Sequence, residues 1–352
     1  MQNKRRSGEG AGQMNGDRRP GGRPTLEEVA ARAGVGRGTV SRVINGSPKV
    51  SAKAREAVLA AIKELGYVPN RAARTLVTNK TDTVALVVSE SEQRVFGEPY
   101  FAGLVRGISA ALSETGLQLI LAMAQSREEH DRLEAFLTAR HVDGVLLTSV
   151  HGADPLPARL EEMGVPTVLG GRPVGITPYS YVDIDNRAGA RQAIKYLISK
   201  GRTKIATIAG PQDMGVGVDR LAGYRDALLA TDMNEMVAYG DFSEESGAAA
   251  MRELLDRHPD LDAVFAASDA MALGALRALR ERGRSVPDDV ALVGFEDSSI
   301  ALHSDPPLTT VHQPTEAMGR QMVRLLIARI NGEPIKQPVV ILDTHLVIRA
   351  SA

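Results

Sequence analysis

The stretch AGVGRGTVSRVING, residues 33–46, decides how the first part of this 352-residue chain is read. It sets Gly34, Gly36 and Gly38 at alternate positions, with Arg37 between the last two. Glycines so spaced suit a phosphate-cradling loop, but the surrounding residues do not. A dinucleotide loop follows a strand and opens a helix. Here Leu26, Val29, Ala30 and Ala33 recur at helical spacing instead. A P-loop carries Lys-Ser/Thr directly after its last glycine, whereas Thr39-Val40 follows here. A turn between two helices accounts for more. Thr25 and Glu28 form a capping box that opens the first helix, and Gly34 ends it. Gly36 stands at the N-cap of a second helix, where glycine is acceptable, and Val40, Val43 and Ile44 give that helix its apolar face. Asn45-Gly46 ends it, with Pro48 just beyond. Ser51 caps a third helix, whose Val58, Ile62 and Leu65 run down one face to Gly66. Three short helices, the first two joined by a tight glycine turn, predict a helix-turn-helix unit.

The charge distribution agrees. Residues 1–80 hold 16 Lys/Arg against 6 Asp/Glu, and the rest hold 26 against 37. A basic head on an acidic body marks a nucleic-acid-binding module joined to something else. Part of the excess sits in residues 1–23, a stretch rich in Gly, Arg and Asn that reads as a disordered basic tail. The hydrophobic fraction of 43% is ample for a globular core. Cysteine is absent, which excludes disulfides and thiolate metal sites and fits a cytoplasmic protein. The N-terminal stretch has no apolar h-region, and no run of about 18 apolar residues predicts a membrane span. No cofactor is expected.

TLEEVAARAGVGRGTVSRVING (25–46) and VSAKAREAVLAAIKELGYVPNRAARTL (50–76) closely resemble the DNA-binding headpiece of the LacI family of transcription factors. The resemblance implies that the second helix lies in the major groove of a palindromic operator, held by a homodimer. Arg37 and Gly38 fall in its first exposed turn and Arg42 further along the same face. Thr25, Thr39, Ser41 and Asn45 match positions that contact backbone or base edges. Many members carry polar side chains where Gly36 and Gly38 stand, so Arg37 and Arg42 are left as the main readers. Arginine suits guanine O6 and N7, which predicts G·C-rich half-sites. Residues 69–80 match the family's hinge helix and linker. Asn70, Arg71, Ala73 and Leu76 fall where the hinge pairs with its twin and a leucine wedges into the minor groove. The helix-turn-helix domain is then 24–68.

From residue 81 apolar runs alternate with amphipathic helices. VALVV, LQLILA, GVLLTS, PTVLG, YVDID, KIATIAG, MVAYGDF, DAVFAAS and VALVGF read as strands of parallel sheets with helices on both faces. So many strands predict two lobes. The stretch 81–352 resembles the family's effector-binding and dimerisation core, a two-lobed α/β fold similar to periplasmic sugar-binding proteins. That resemblance implies lobes at about 81–185 with 312–345, and 186–308. It puts the crossings between lobes near 185–187, 297–305 and 309–313. The ligand would lie between the lobes at the carboxyl ends of the strands.

For a sugar, polar groups must meet hydroxyls and aromatic rings must cover its apolar face. Glu90, Phe96, Tyr100 and Phe101 come from one strand-end stretch that also holds Glu98 and Pro99, in a chain with 13 Phe and Tyr and no Trp. The resemblance adds Arg220 as the effector-binding arginine and Phe242 as an aromatic cover. It adds Ser268-Asp269, Glu296 and Gln313 as polar positions, and Arg172 lies at the cleft mouth. Ser268 stands where some members have asparagine, and Glu296 where aspartate is usual. GGRP, YVDID, GDF and VFAASD are most similar to the cellulose-utilisation branch, whose effector is cellobiose or a related β-glucoside. The implied function is a transcriptional repressor of sugar-utilisation genes, released by a small sugar. No C-terminal heptad extension is present, which favours a dimer over a tethered tetramer. An exported sugar receptor has no use for the basic head. Of the motifs a doubly wound enzyme could carry, an HExxH or HxxEH metal pair, a GxSxG elbow and a GxxxxGK(S/T) loop are all absent from the sequence. Asp183, in YVDID, is expected to contact a loop backbone rather than to hold a metal.

Overall fold

The computed structural model describes residues 24–68, 80–124, 126–152, 154–175 and 180–352. The chain divides into two compact units, one ending at Asn79 and one running Lys80–Ala352. The expected basic tail and the hinge positions Asn70, Arg71, Ala73 and Leu76 lie outside the described residues.

The first unit holds α1 (Leu26–Ala33), α2 (Arg37–Ile44) and α3 (Ala52–Leu65). Thr25 and Glu28 close the capping box, and Ser51 accepts from Ala54 N at the start of α3. Gly34 (φ 65°) and Gly66 (φ 62°) end α1 and α3 in the left-handed conformation, where a side chain would be strained. Val29, Val40, Val43, Val58 and Ala61 form the small core. Burying them leaves the opposite face of α2, with Arg37, Gly38 and Arg42, in solvent.

In the second unit, the first lobe begins with β1 (Thr83–Val88), α4 (Glu92–Gly97), α5 (Pro99–Leu112), β2 (Gln118–Met123) and α6 (Arg127–Thr138). It continues with β3 (Gly144–Thr148), α7 (Leu156–Glu162), β4 (Thr167–Gly170) and β5 (Tyr181–Ile184). The second lobe holds α8 (Asn186–Ser199), β6 (Ile205–Ala209), α9 (Gly215–Leu228), β7 (Val237–Tyr239) and α10 (Glu244–Arg257). It then adds β8 (Ala263–Ala266), α11 (Asp269–Glu281), β9 (Ala291–Glu296), α12 (Ser299–His303) and β10 (Thr309–His312). Helix α13 (Thr315–Ile330) and β11 (Val339–Leu342) return to the first lobe, and β12 (His345–Val347) ends in the second.

The sheets run β11-β5-β4-β3-β1-β2 and β12-β10-β9-β8-β6-β7. Side chains alternate along each strand, so each sheet feeds two helix layers. Val84, Leu86 and Val88 of β1 join the cluster with Leu104 and Ile108 of α5 and Met322 of α13. Ala85 and Val87 join the one with Leu137 of α6 and Leu160 of α7. In β8, Ala263 and Phe265 face one way, and Val264 and Ala266 the other. Strands buried on both faces explain the unbroken apolar runs of the sequence.

Two features depart from the sequence reading. The strands are parallel except that β12 pairs antiparallel with β10. The expected crossing near 297–305 is absent, because β9, α12 and β10 form a short β-α-β return within one sheet, with Thr309 beside Val293. Residues 309–312 are therefore strand β10 of the second lobe. The chain crosses near 184–186, 312–315 and 342–345. The last crossing takes two residues, Asp343-Thr344, so the second sheet claims residues from His345 onward. The sequence reading missed β11 and β12 because they are short and no residue in either is fully buried.

Candidate functional site

In the head, α2 presents Arg37 and Arg42 on its exposed face, and Gly38 between them carries no side chain to cover them. Arg37 Nη1 lies 3.0 Å from Glu27 Oε1, an exposed pair that DNA phosphates or base edges can displace at small cost. Thr39 and Ser41 are half-buried, and Asn45 Nδ2 is 3.5 Å from Ser41 Oγ. Thr25 is exposed, with its hydroxyl occupied by the helix cap. A basic, side-chain-thinned helix face is what a major groove accepts.

In the core, a partly open cavity lies between the lobes. In both sheets the first strand sits beside its own second and third strands, so the chain reverses direction across the sheet there. The cavity opens at this switch point, beyond the carboxyl ends of the strands. Of the expected residues, Tyr100, Phe101, Arg172, Arg220, Phe242, Glu296 and Gln313 line it.

Arg220, on α9, is only 2% exposed. Its Nε donates to Asn186 Oδ1 at 2.9 Å, Nη1 to Ala267 O at 2.6 Å and Nη2 to Gln313 Oε1 at 3.0 Å. Its guanidinium stacks 3.6 Å from the Phe295 ring centroid. Burial pulls its pKa down to about 10, against the pull of Glu296 and Asp183, so it stays charged at neutral pH. A guanidinium has five N–H groups. Three are spent on positioning, and one on each Nη remains.

Burial pushes the Glu296 carboxyl well above the usual range, and the charge of Asp269 adds to the effect. Glu296 sits at φ 120°, a conformation L-residues rarely adopt, at the end of β9. Tyr100 contacts Thr148 Oγ1 at 3.3 Å, and burial holds its phenol near 12. Phe242 lies against Gly210. A Cβ there would fall 2.4 Å from the ring, so only glycine admits the Phe242 side chain in this position. Arg172 makes a two-pronged pair with Asp219 across the lobes at 3.0 and 2.7 Å. Gly215 permits the approach, since a Cβ there would meet Arg172 O at 2.0 Å.

Four expected residues do not line this cavity. Glu90 turns to Arg94 and to a second cavity. Phe96 is 72% exposed, because α4 turns it outward. Ser268 caps α11 by accepting from Met271 N. Asp269 is fully buried and accepts from Thr310 Oγ1, Ser298 N and Ser298 Oγ, which fixes the loop after β9. Both are one layer behind the cavity, where caps and loop anchors belong. Glu98, in the strand-end stretch, also lines it, and among the residues the sequence reading missed there are Arg94, Ser149, Asp183 and Asn186. Glu90, Arg94 and Glu98 recur every four residues, a helical signal hidden in what read as a loop. Asp183 accepts from Arg172 N, Ile184 N and Asn186 Nδ2, so its role is to hold backbone as well as to line the wall. Among the described residues no His/Asp/Glu cluster could hold a metal, and no helix is long and apolar enough to cross a membrane.

A helix-turn-helix unit with a bared arginine face, in one chain with a two-lobed core around a buried arginine, defines a DNA-binding regulator with a small-molecule-binding core. Known proteins agree. Residues 25–70 match the model of bacterial regulatory proteins of the lacI family, and residues 194–352 match a periplasmic binding protein-like domain. The HTH-type transcriptional regulator CelR of Thermobifida fusca is 63% identical over 94% of this chain and 98% of its own. The ribose operon repressor of Escherichia coli K12 is 36% identical over 93% and 99%. Among solved structures, a transcriptional regulator CelR-cellobiose complex is similar with TM-score 0.76 and 60% identity, covering 94% of this chain and 100% of its own. The lac repressor dimer bound to operator and the anti-inducer ONPF has TM-score 0.82 and 29% identity, covering 93% and 98%. The chain belongs to the LacI family of bacterial transcriptional regulators.

Proposed function

We propose that this protein is a repressor of sugar-utilisation genes that leaves its operator when cellobiose or a related β-glucoside binds between the lobes. The cleft around Arg220 carries the reading. A fixed cation with two free N–H groups, flanked by Glu296, Gln313 and Arg172, meets hydroxyls, while Tyr100, Phe101 and Phe242 supply faces for pyranose rings. High identity to CelR and the similarity to a cellobiose complex support the choice of sugar. A homodimer in the cytoplasm would hold a palindromic operator, with Arg37 and Arg42 reading guanines and the hinge segment in the minor groove.

The mechanism is linkage. Sugar favours one arrangement of the lobes and operator DNA another, so each ligand weakens the other by the same factor. Fluorescence anisotropy of labelled operator, titrated with cellobiose, tests it. Cellobiose should release the DNA, and operator should weaken cellobiose binding equally. Tighter operator binding with cellobiose would make it a co-repressor. Equal cellobiose affinity with and without operator would refute the coupling.

A further inference from the structure

Beside the effector cavity a chain of charged groups joins the two lobes. His151 follows β3. Its Nδ1 lies 2.9 Å from Asp213 Oδ2, in the loop between β6 and α9, and its Nε2 lies 3.4 Å from Glu90 Oε1, just after β1. Gly152 N donates to Asp213 O at 2.8 Å, so the backbone doubles the link. Glu90, 7% exposed, meets Arg94 Nη1 at 2.7 Å, and Arg94 Nε donates to Glu98 at 2.7 Å. Arg94 and Glu98 line the effector cavity, while Glu90 and His151 line a second cavity on the outer side of the first lobe. The charged chain is therefore the wall between the two. Arg94 also lies 6.0 Å from the Phe242 ring centroid, across the cleft.

Both ring nitrogens of His151 face carboxylates. A neutral imidazole has one donor and one lone pair, so one carboxylate would meet a lone pair. An imidazolium donates to both. We propose that His151, as an imidazolium, is an inter-lobe positioning residue: it ties Asp213 of the second lobe to Glu90 of the first, and through Glu90 it sets Arg94 against the effector. The proposal rests on the effector-binding reading above.

The surroundings favour the cation. Glu90 and Arg94 face His151 from β1 and α4, and Asp213 from the β6–α9 loop. From α6 and the start of α7 come His130, Asp131, Glu134, Asp154 and Arg159, the last paired with Glu134 at 2.7 Å. Among the described residues, only Glu90 and Asp213 form hydrogen bonds to the ring. The Glu90 bond, with the Asp213 bond behind it, pushes the imidazole up to about 9 against the opposing effect of burial. Parting the lobes removes Asp213 but leaves Glu90, which is on the same lobe as His151, so the pKa falls only part of the way toward about 6.5. Closed lobes then hold a proton that open lobes release between those values. An effector that closes the lobes takes up part of a proton, and its affinity falls as pH rises through the window.

Calorimetry with cellobiose from pH 6.5 to 9 tests this in the full-length protein and in H151Q, D213N and H151K. The wild-type Kd should rise about three- to tenfold more across the window than that of H151Q, which hydrogen-bonds without titrating. D213N should flatten the profile as H151Q does. H151K should restore tight binding without the slope, because lysine stays charged throughout. Equal slopes in wild type and H151Q would overturn the proposal. NMR titration of the His151 ring in the sugar-free protein, assigned by difference with H151Q, separates it from the effector reading. A raised midpoint in a protein that binds no cellobiose would remove cellobiose and keep the latch. An ordinary midpoint near 6.5 would overturn the latch whatever the sugar does.

Discussion

Replacing Arg220 with lysine keeps the charge and removes the fork. In the native protein Arg220 spends three N–H groups on Asn186, Ala267 and Gln313 and leaves one on each Nη for the cavity. An ammonium has three donors on one nitrogen and cannot serve three partners on different sides while facing a ligand. At least one ligand hydrogen bond is lost, and positioning of the other is lost with Gln313. A hydrogen bond to a charged group contributes about 1.5–3 kcal/mol. One to two such bonds give about 3 kcal/mol, on the order of a hundredfold in affinity. R220K should therefore bind operator like wild type yet need roughly a hundredfold more cellobiose to release it. Operator anisotropy with cellobiose titration reads this, and circular dichroism melting confirms that the fold survives. A folded R220K released at within threefold of the wild-type cellobiose concentration would refute the role of the fork.

R37A should weaken operator binding by about 1–3 kcal/mol and relax base preference at one position in each half-site, read by binding-site selection. Unchanged selected sequences would leave Arg37 a phosphate contact only. G210A should displace the Phe242 ring, since the new Cβ would lie 2.4 Å from it. Cellobiose affinity measured by calorimetry should fall while operator affinity holds, and an unchanged Kd would show that the ring does not cover the sugar. Tyr224→Phe is a stability probe away from the cavity. Its hydroxyl donates to Ile205 O at 2.9 Å and accepts from Met236 N at 3.0 Å, in a fully buried site. Leaving both unpaired should cost about 1–3 kcal/mol, a melting-temperature drop of several degrees, with effector binding intact.

Legibility followed the length scale of each signal. The head was readable because its caps are local: Thr25, Gly34, Gly36 and Ser51 each act within four residues. The strands buried on both faces were readable because their apolar runs admit few other fates. The crossing near 297–305 was misread because nothing within that stretch says which sheet its next strand joins. That depends on Thr309–His312 pairing with β9, a contact between two strands. Strand β11 escaped notice for the same reason. Its Val339 and Ile341 stay exposed, and only pairing with β5 makes it a strand.

The site divides along the same line. Arg220, Phe242, Glu296 and Gln313 were placed by resemblance, and the fold brings them around one cavity. Ser268 and Asp269 look equally suited to sugar on chemistry alone, yet both are committed elsewhere. Asp269 accepts three hydrogen bonds from Thr310 and Ser298, and with them it fixes the backbone that carries Glu296. Glu296 needs that support, because its φ of 120° is unfavourable for a residue with a side chain. A sequence shows which groups could bind a ligand, whereas only the hydrogen-bond partners show which remain available. Arg220 has partners at Asn186, beside the first crossing, and at Gln313, beside the second. A sugar that draws on its two free N–H groups therefore pulls on the segments about which the lobes must turn. Under the proposed function, that makes the guanidinium a coupling point between ligand and lobe geometry. Its partners at the crossings would transmit any shift of its position even if the sugar touched no other charged group.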